Sequence, residues 1–162
     1  MPDILPQNIQ ALIGEIGEKQ VLLRLAIMAH QKPGWDVFYN LGESGYDVLM
    51  MNMKRDERIC IEVKTRQKMY STAKNVGTVQ FYLTALERSS SDFLVAYFMD
   101  HNDFYLVPTS DLKSVSGGKR WRFTINFLKS GQPSPTLKKY RNNWRSLHKD
   151  FKTISMRAVA RE

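Results

Sequence analysis

The sequence predicts an α/β fold with elements in the order αβββαββ, and three observations carry that prediction. A helical stretch over residues 6–30 stops at Lys32-Pro33-Gly34. Residues 44–66 read as two strands around a charged turn at 54–57, because Ile59, Ile61 and Val63 alternate with Cys60, Glu62 and Lys64. A strongly apolar stretch over 93–99 and an aromatic one over 104–107 flank the polar turn Asp100-His101-Asn102-Asp103.

Length and composition bound the answer. The 162 residues suit one domain with a real core, and an apolar fraction of 43% excludes a disordered chain. Charge is unevenly placed: residues 1–112 carry a net −3 and residues 113–162 a net +11. Acids in one part and a basic surface in the other suit a polyanionic partner, nucleic acid first and an anionic membrane second. The single cysteine, Cys60, excludes an intramolecular disulfide and Cys-rich metal sites. With no long apolar run or apolar leader, a soluble cytoplasmic protein that spans no membrane is expected.

Taken in order, the first helix is expected to bury Ile9, Leu12, Ile13, Ile16, Leu23 and Ile27. Gly14 and Gly17 would let it approach a strand closely. Of its two acids, Glu15 has Lys19 four residues on as a surface partner, whereas Glu18 stands among Val21, Leu22 and Leu25. A strand over 35–40 and the loop Leu41-Gly42-Glu43-Ser44-Gly45 lead to Asp47. After the hairpin, residues 67–76 form a polar loop, either touching phosphate and sugar or simply solvated. A second helix over 78–89 is expected to bury Phe81, Leu83 and Leu86. Gln80 in its first turn either contacts a water or phosphate or is an exposed glutamine. His30 and His101 read as helix-end and turn residues.

The chemistry sits on the hairpin. Period two places Glu62 and Lys64 on one face, and Asp47 heads an otherwise apolar strand, where a carboxylate needs a cationic partner. Two carboxylates and a lysine at one spot suit a hard divalent cation and an ammonium that steadies charge on the attacking water or the scissile phosphate. Here the chain resembles the PD-(D/E)XK nuclease superfamily: Asp47 falls at the first acid and Glu62-Val63-Lys64 at the E-x-K half, with Tyr46 in place of proline. The resemblance implies a restriction-endonuclease-like core, a central mixed sheet flanked by helices. It implies catalysis by Glu18, Asp47, Glu62 and Lys64. It also implies metal ligation by Glu18, Asp47, Glu62 and the Val63 carbonyl, with Mg2+ as cofactor and Mn2+ as a substitute. Over residues 14–113 the order of features is most similar to the archaeal-type Holliday junction resolvases, with Ser44 as the loop serine.

From Ser114 the chain leaves that pattern. Ser116-Gly117-Gly118 is a break, and residues 121–127 alternate Trp121, Phe123, Ile125 and Phe127 inward as a strand. Leu137, Tyr140, Trp144, Leu147 and Phe151 fall at helical spacing, so a final basic helix is expected, followed by a mobile tail after Ile154. Its aromatic stripe packs on the domain or on a second subunit, and its basic face contacts phosphate or is merely solvated. The expected organisation is a nuclease core at 1–113 and a basic strand–helix extension at 114–162 packed on the same domain. The expected function is a Mg2+-dependent Holliday junction resolvase acting on branched double-stranded DNA as a homodimer. Ser44, Arg66, Lys68, Tyr70, Lys74, Lys138, Lys139, Arg141 and Arg145 are its expected DNA contacts. The alternatives are a sequence-specific restriction or homing endonuclease of the same fold, or a nucleic-acid-binding module that does not cleave.

Overall fold

A five-stranded mixed sheet and a separate three-stranded antiparallel sheet organise the computed structural model, which describes residues 5–42, 45–68 and 77–154. The large sheet has the order β1-β2-β3-β5-β6. Its strands are β1 (Trp35–Tyr39), β2 (Val48–Asn52), β3 (Glu57–Arg66), β5 (Phe93–Phe98) and β6 (Asp103–Pro108). All neighbours are antiparallel except β3 and β5, which pair in parallel with Glu62 opposite Leu94 and Lys64 opposite Ala96. The predicted mixed sheet with a flanking helix is therefore the observed architecture.

One face of this sheet packs on the helix α1 (Gln7–Gln31) and on the C-terminal segment; the other carries the small sheet. Alternation along β3 divides the two: Ile59, Ile61 and Val63 join the α1 core, while Glu62 and Lys64 point to the opposite face. Gly17 explains the close approach of α1, because a Cβ there would collide with the Thr65 side chain on β3. Gly14 faces open space and plays no such part.

The helix turns a different side inward from the one expected. Gly17, Val21, Leu25, Met28 and Ala29 are its buried residues. Ile9, Leu12, Ile16 and Leu23 are exposed, and Ile13 and Ile27 are only partly covered. The two apolar stripes lie on opposite sides of one helix, and the outward one carries the bulkier residues.

Residues 78–84 form a strand, not the start of a helix. β4 (Thr78–Thr84) buries Val79, Phe81 and Leu83 in strict alternation, and only α2 (Ala85–Ser90) is helical. Leu86 is exposed and not in the core. Gln80 lies mid-strand, where its carbonyl accepts a bond from Arg66 Nε and its side chain accepts one from the Tyr82 hydroxyl. β4 pairs with β8 (Arg120–Asn126), which pairs with the short β7 (Lys113–Val115). The expected alternation at 121–127 holds, with Phe123 and Ile125 buried and Trp121 and Phe127 partly so.

The predicted C-terminal helix is absent. Residues 135–153 carry three single-turn helical segments, Pro135–Leu137, Trp144–Leu147 and Lys149–Thr153. Asn142 breaks the run: it adopts a left-handed conformation, its N–H donates to the Phe104 carbonyl, and its amide donates to Asp103. Trp144, Leu147 and Phe151 are nonetheless buried, in the core shared with α1, and Leu137 is buried beside the small sheet. Of the two expected partners of the aromatic stripe, the domain and a second subunit, it is the domain that covers Trp144, Leu147 and Phe151.

Candidate active site

Asp47 is fixed at the head of β2 by its backbone. Its N–H donates to Ile61 O at 2.9 Å and its carbonyl accepts from Asn40 N at 2.8 Å. That register aims its carboxylate across the hairpin, where Oδ2 accepts the Val63 N–H at 2.7 Å. Glu62, next along β3, is almost fully buried, and its Oε1 meets Lys64 Nζ at 2.8 Å. Lys64 Nζ also reaches Glu87 Oε1 at 2.8 Å, so one ammonium bridges two carboxylates.

Glu87 is a site residue that the sequence reading missed, although Thr84-Ala85-Leu86-Glu87 carries a signal for it. The Thr84 side chain accepts the Glu87 N–H at 3.2 Å and the Glu87 carboxylate accepts the Thr84 N–H at 2.7 Å, a reciprocal cap at the start of α2. That cap turns the other Glu87 oxygen toward Lys64. Tyr39 was missed too: its hydroxyl donates to Glu18 Oε2 in a short hydrogen bond. Lys19 does not pair with Glu15 as expected; its ammonium lies 4.0 Å from the centroid of the Tyr39 ring.

The ionisation of the site follows from these contacts. Burial raises the Glu62 pKa, Lys64 offsets part of that, and the Asp47 charge adds to it. Burial raises Asp47 as well; the Val63 N–H opposes this and the Glu18 charge reinforces it. Burial disfavours the Lys64 ammonium, but Glu62 and Glu87 outweigh it and lift its pKa above the ordinary lysine value. Glu87 is held low by Lys64 and the Thr84 N–H against the effect of burial. The hydrogen bond to Glu18, then burial, takes Tyr39 up to about 12.

These are oxygen donors with excess negative charge in a desolvated spot, which suits a hard divalent cation. Asp47 and Glu62 are neighbours there, and Glu18 acts on Asp47 from α1. The three are more widely spread than a tight trio. Among the described residues the one group of three such side chains whose ligand atoms all lie within 4.8 Å is Glu57, His148 and Asp150. That group already holds a cation, because the Arg55 guanidinium pairs with both Glu57 and Asp150.

The other expected contacts are dispersed. Arg66 and Lys68 are exposed at the end of β3. Lys138, Lys139 and Arg145 are exposed on the C-terminal segment, and Arg141 Nε donates to the buried Asp103 at 2.9 Å. Ser44, Tyr70, Lys74 and the tail after Ile154 lie outside the described residues.

No protein-family model and no curated protein matches the chain. Solved structures do. A bacterial homing endonuclease, I-Ssp6803I, superposes with a TM-score of 0.57 at 20% identity, over 93% of this chain and 96% of that one. The Holliday junction resolvase Hjc of Archaeoglobus fulgidus matches at TM-score 0.49 and 17% identity, over 68% and 82%. The fold is that of the restriction-endonuclease-like nucleases. No helix among the described residues is long and apolar enough to cross a membrane.

Proposed function

We propose that the protein is a divalent-metal-dependent DNA endonuclease whose catalytic residues are Asp47, Glu62, Lys64 and Glu18. The observation that carries this reading is the meeting of Asp47, Glu62 and Lys64 on the β2–β3 hairpin, with both carboxylates desolvated and short of counter-charge. Desolvated acids in a shared site are where function concentrates. Asp47, Glu62, the Val63 carbonyl and Glu18 would hold the cation. When bound, Mg2+ or Mn2+ supplies Lewis-acid stabilisation of phosphate oxygen and a more acidic water.

The chain's own residues do the rest. The Val63 N–H fixes the Asp47 carboxylate, and Tyr39 orients Glu18. Lys64, whose ammonium is held by Glu62 and Glu87, is placed to steady phosphate charge or to help activate water. Glu87 holds that ammonium in place from α2. Arg66, Lys68, Lys138, Lys139 and Arg145 are exposed cations for phosphate contact, with Ser44, Tyr70 and Lys74 as further candidates.

Two substrates fit this chemistry. A specific sequence in linear duplex DNA is supported by the extent of the likeness to the homing endonuclease, which takes in the small sheet and the C-terminal segment. Cleavage of a four-way junction by a homodimer is supported by the order of motifs over residues 14–113. The test is a library of random linear duplexes and a set of four-way junctions with unrelated arms, each with Mg2+, Mn2+ or chelator. Metal-dependent cutting at one recurring linear sequence supports the first, and cutting of every junction the second. No cutting in any metal sinks the nuclease reading, and a Lys64→Ala variant that cuts at the wild-type rate sinks the site assignment.

A further inference from the structure

Four large apolar side chains stand outward on α1: Ile9 is 39% exposed, Leu12 54%, Ile16 41% and Leu23 57%. At about 100° per residue they gather on one stripe, opposite the Gly17–Val21–Leu25 face that packs on β3. The helix is 25 residues, about 37 Å, long, and among the described residues nothing covers the stripe. Ile9, Leu12 and Ile16 adjoin one another and Leu23 follows two turns further on, past Lys19 and Gln20; exposed apolar residues gathered on one side of a structured helix mark an interface.

We infer that α1 pairs antiparallel with α1 of a second copy of this chain, about a two-fold axis near Ile16. Two features of the helix specify a second copy in this orientation. Ile9 and Leu23 lie seven residues to either side of Ile16, so a two-fold there sets each against the other while Ile16 meets itself. Glu15 and Lys19 both border the stripe on the same edge. Antiparallel helices bring that edge against itself, so Glu15 faces the partner's Lys19 twice. Parallel helices in register instead set Glu15 and Lys19 against Ile13 and Gln20, and the cation on that edge, Arg24, lies nine residues along from Glu15 with its guanidinium over the Phe104 ring.

The pairing has a consequence for the site. Glu18 projects near the Glu15/Lys19 edge and is hydrogen-bonded to Tyr39 on the same side as Lys19. An axis perpendicular to both helices therefore places the two candidate sites on one side of the assembly, facing one duplex. That consequence rests on the proposed nuclease reading; the pairing itself does not.

The experiment uses the full chain without DNA, so it succeeds or fails apart from any cleavage result. Sedimentation equilibrium of the wild type in the micromolar range should give a dimer. Ile16→Glu and Leu23→Glu should give monomers with unchanged circular dichroism, since both side chains are exposed within one chain. Mild oxidation should crosslink Ile16→Cys to itself. Ile9→Cys and Leu23→Cys should crosslink when mixed and not alone, with the wild type, whose Cys60 is buried, as blank. A monomeric wild type, a dimer that survives both glutamate variants, or self-crosslinking of Leu23→Cys alone each overturns the proposal. The first would leave the stripe to another partner or to the chain's own end.

Discussion

Strand β3 carries two clusters of acids about 16 Å apart, around Glu57 at its start and Glu62 further along, and they solve the same problem in opposite ways. At Glu57 the charges are closed. The Arg55 guanidinium pairs with Glu57 at 3.0 Å and with Asp150, Trp35 Nε1 donates to Asp150 at 2.9 Å, and His148 Nε2 lies 3.1 Å from Glu57. The Arg55 hydrogen bond, then that of Trp35, holds Asp150 down at about 2. At Glu62 one ammonium serves Glu62 and Glu87, with Asp47 close by, and burial drives Asp47 and Glu62 upward. Proximity alone would rank the Glu57 cluster first as a metal site. Occupancy ranks it second: the Arg55 guanidinium already sits between Glu57 and Asp150 and holds Asp150 low, whereas burial drives Asp47 and Glu62 upward, and desolvated acids gain from a further cation.

The sharpest way to break this comparison is to empty each cluster in turn. Asp47→Ala, Glu62→Ala and Lys64→Ala should each lower the cleavage rate by about 100- to 1000-fold. DNA affinity should be largely retained, because phosphate contacts elsewhere supply it. Glu57→Ala and Asp150→Ala should leave the cleavage rate near wild type at a temperature where they remain folded. Single-turnover rates on a cleaved substrate measure both arms. Equal losses from the two clusters would erase the distinction.

A smaller effect sharpens the boundary of the Glu62 site. Glu18→Gln removes the one acid that α1 sends toward Asp47, and should lower the rate about tenfold or more while raising the Mg2+ needed for half-maximal activity. Glu15→Gln, on the exposed edge of the helix, should change neither. The opposite ranking, read from metal titrations of the two variants, would mean that the wrong helical acid serves the site.

Smaller again are the basic residues of the C-terminal segment, and they divide in the same manner. Lys138→Gln and Arg145→Gln should each reduce the slope of log affinity against log salt by about one if they meet phosphate. Arg141→Gln should instead lower the melting temperature, because its guanidinium is the partner of buried Asp103. Fluorescence-anisotropy titrations at several salt concentrations and a thermal melt separate the two roles.

How much of this was legible follows from which signals were local. The β2–β3 hairpin and Glu62/Lys64 showed in the sequence because period two assigns faces without help from distant residues. The inward side of α1 did not, because burial there was decided by the fit of Gly17 against Thr65, a tertiary contact, and not by bulk. Leu137, Tyr140, Trp144, Leu147 and Phe151 mimic a helical stripe, yet the four buried ones are placed by three separate turns, with the run broken at Asn142, which is anchored to β6. β4 was readable and misread: Val79, Phe81 and Leu83 alternate as cleanly as Ile59, Ile61 and Val63. Glu87 was hidden because its role depends on a cap that only makes sense once the helix is known to start at Ala85.

The smallest predicted effect tests the closed cluster by its pH dependence. Asp150 has an ordinary pKa of 3.8 and is held near 2 in the folded chain, chiefly by Arg55. A carboxylate depressed by folding stabilises the fold in its ionised form, so its contribution is complete above the unfolded value and is lost as pH falls through the folded one. At neutral pH Asp150→Asn should therefore melt a few degrees below wild type. That gap should hold down to about pH 4, shrink through the interval between 3.8 and about 2, and vanish below it. Other carboxylates titrate over the same range, so the quantity to follow is the difference between the two proteins and not either midpoint alone. Arg55→Met should show the same narrowing, since it removes the principal cause of the depression. A difference that stays constant to pH 2 would mean that Asp150 acts through packing against Trp35 and not through its charge. The Glu57 end of β3 would then no longer contrast with the Glu62 end on electrostatic grounds.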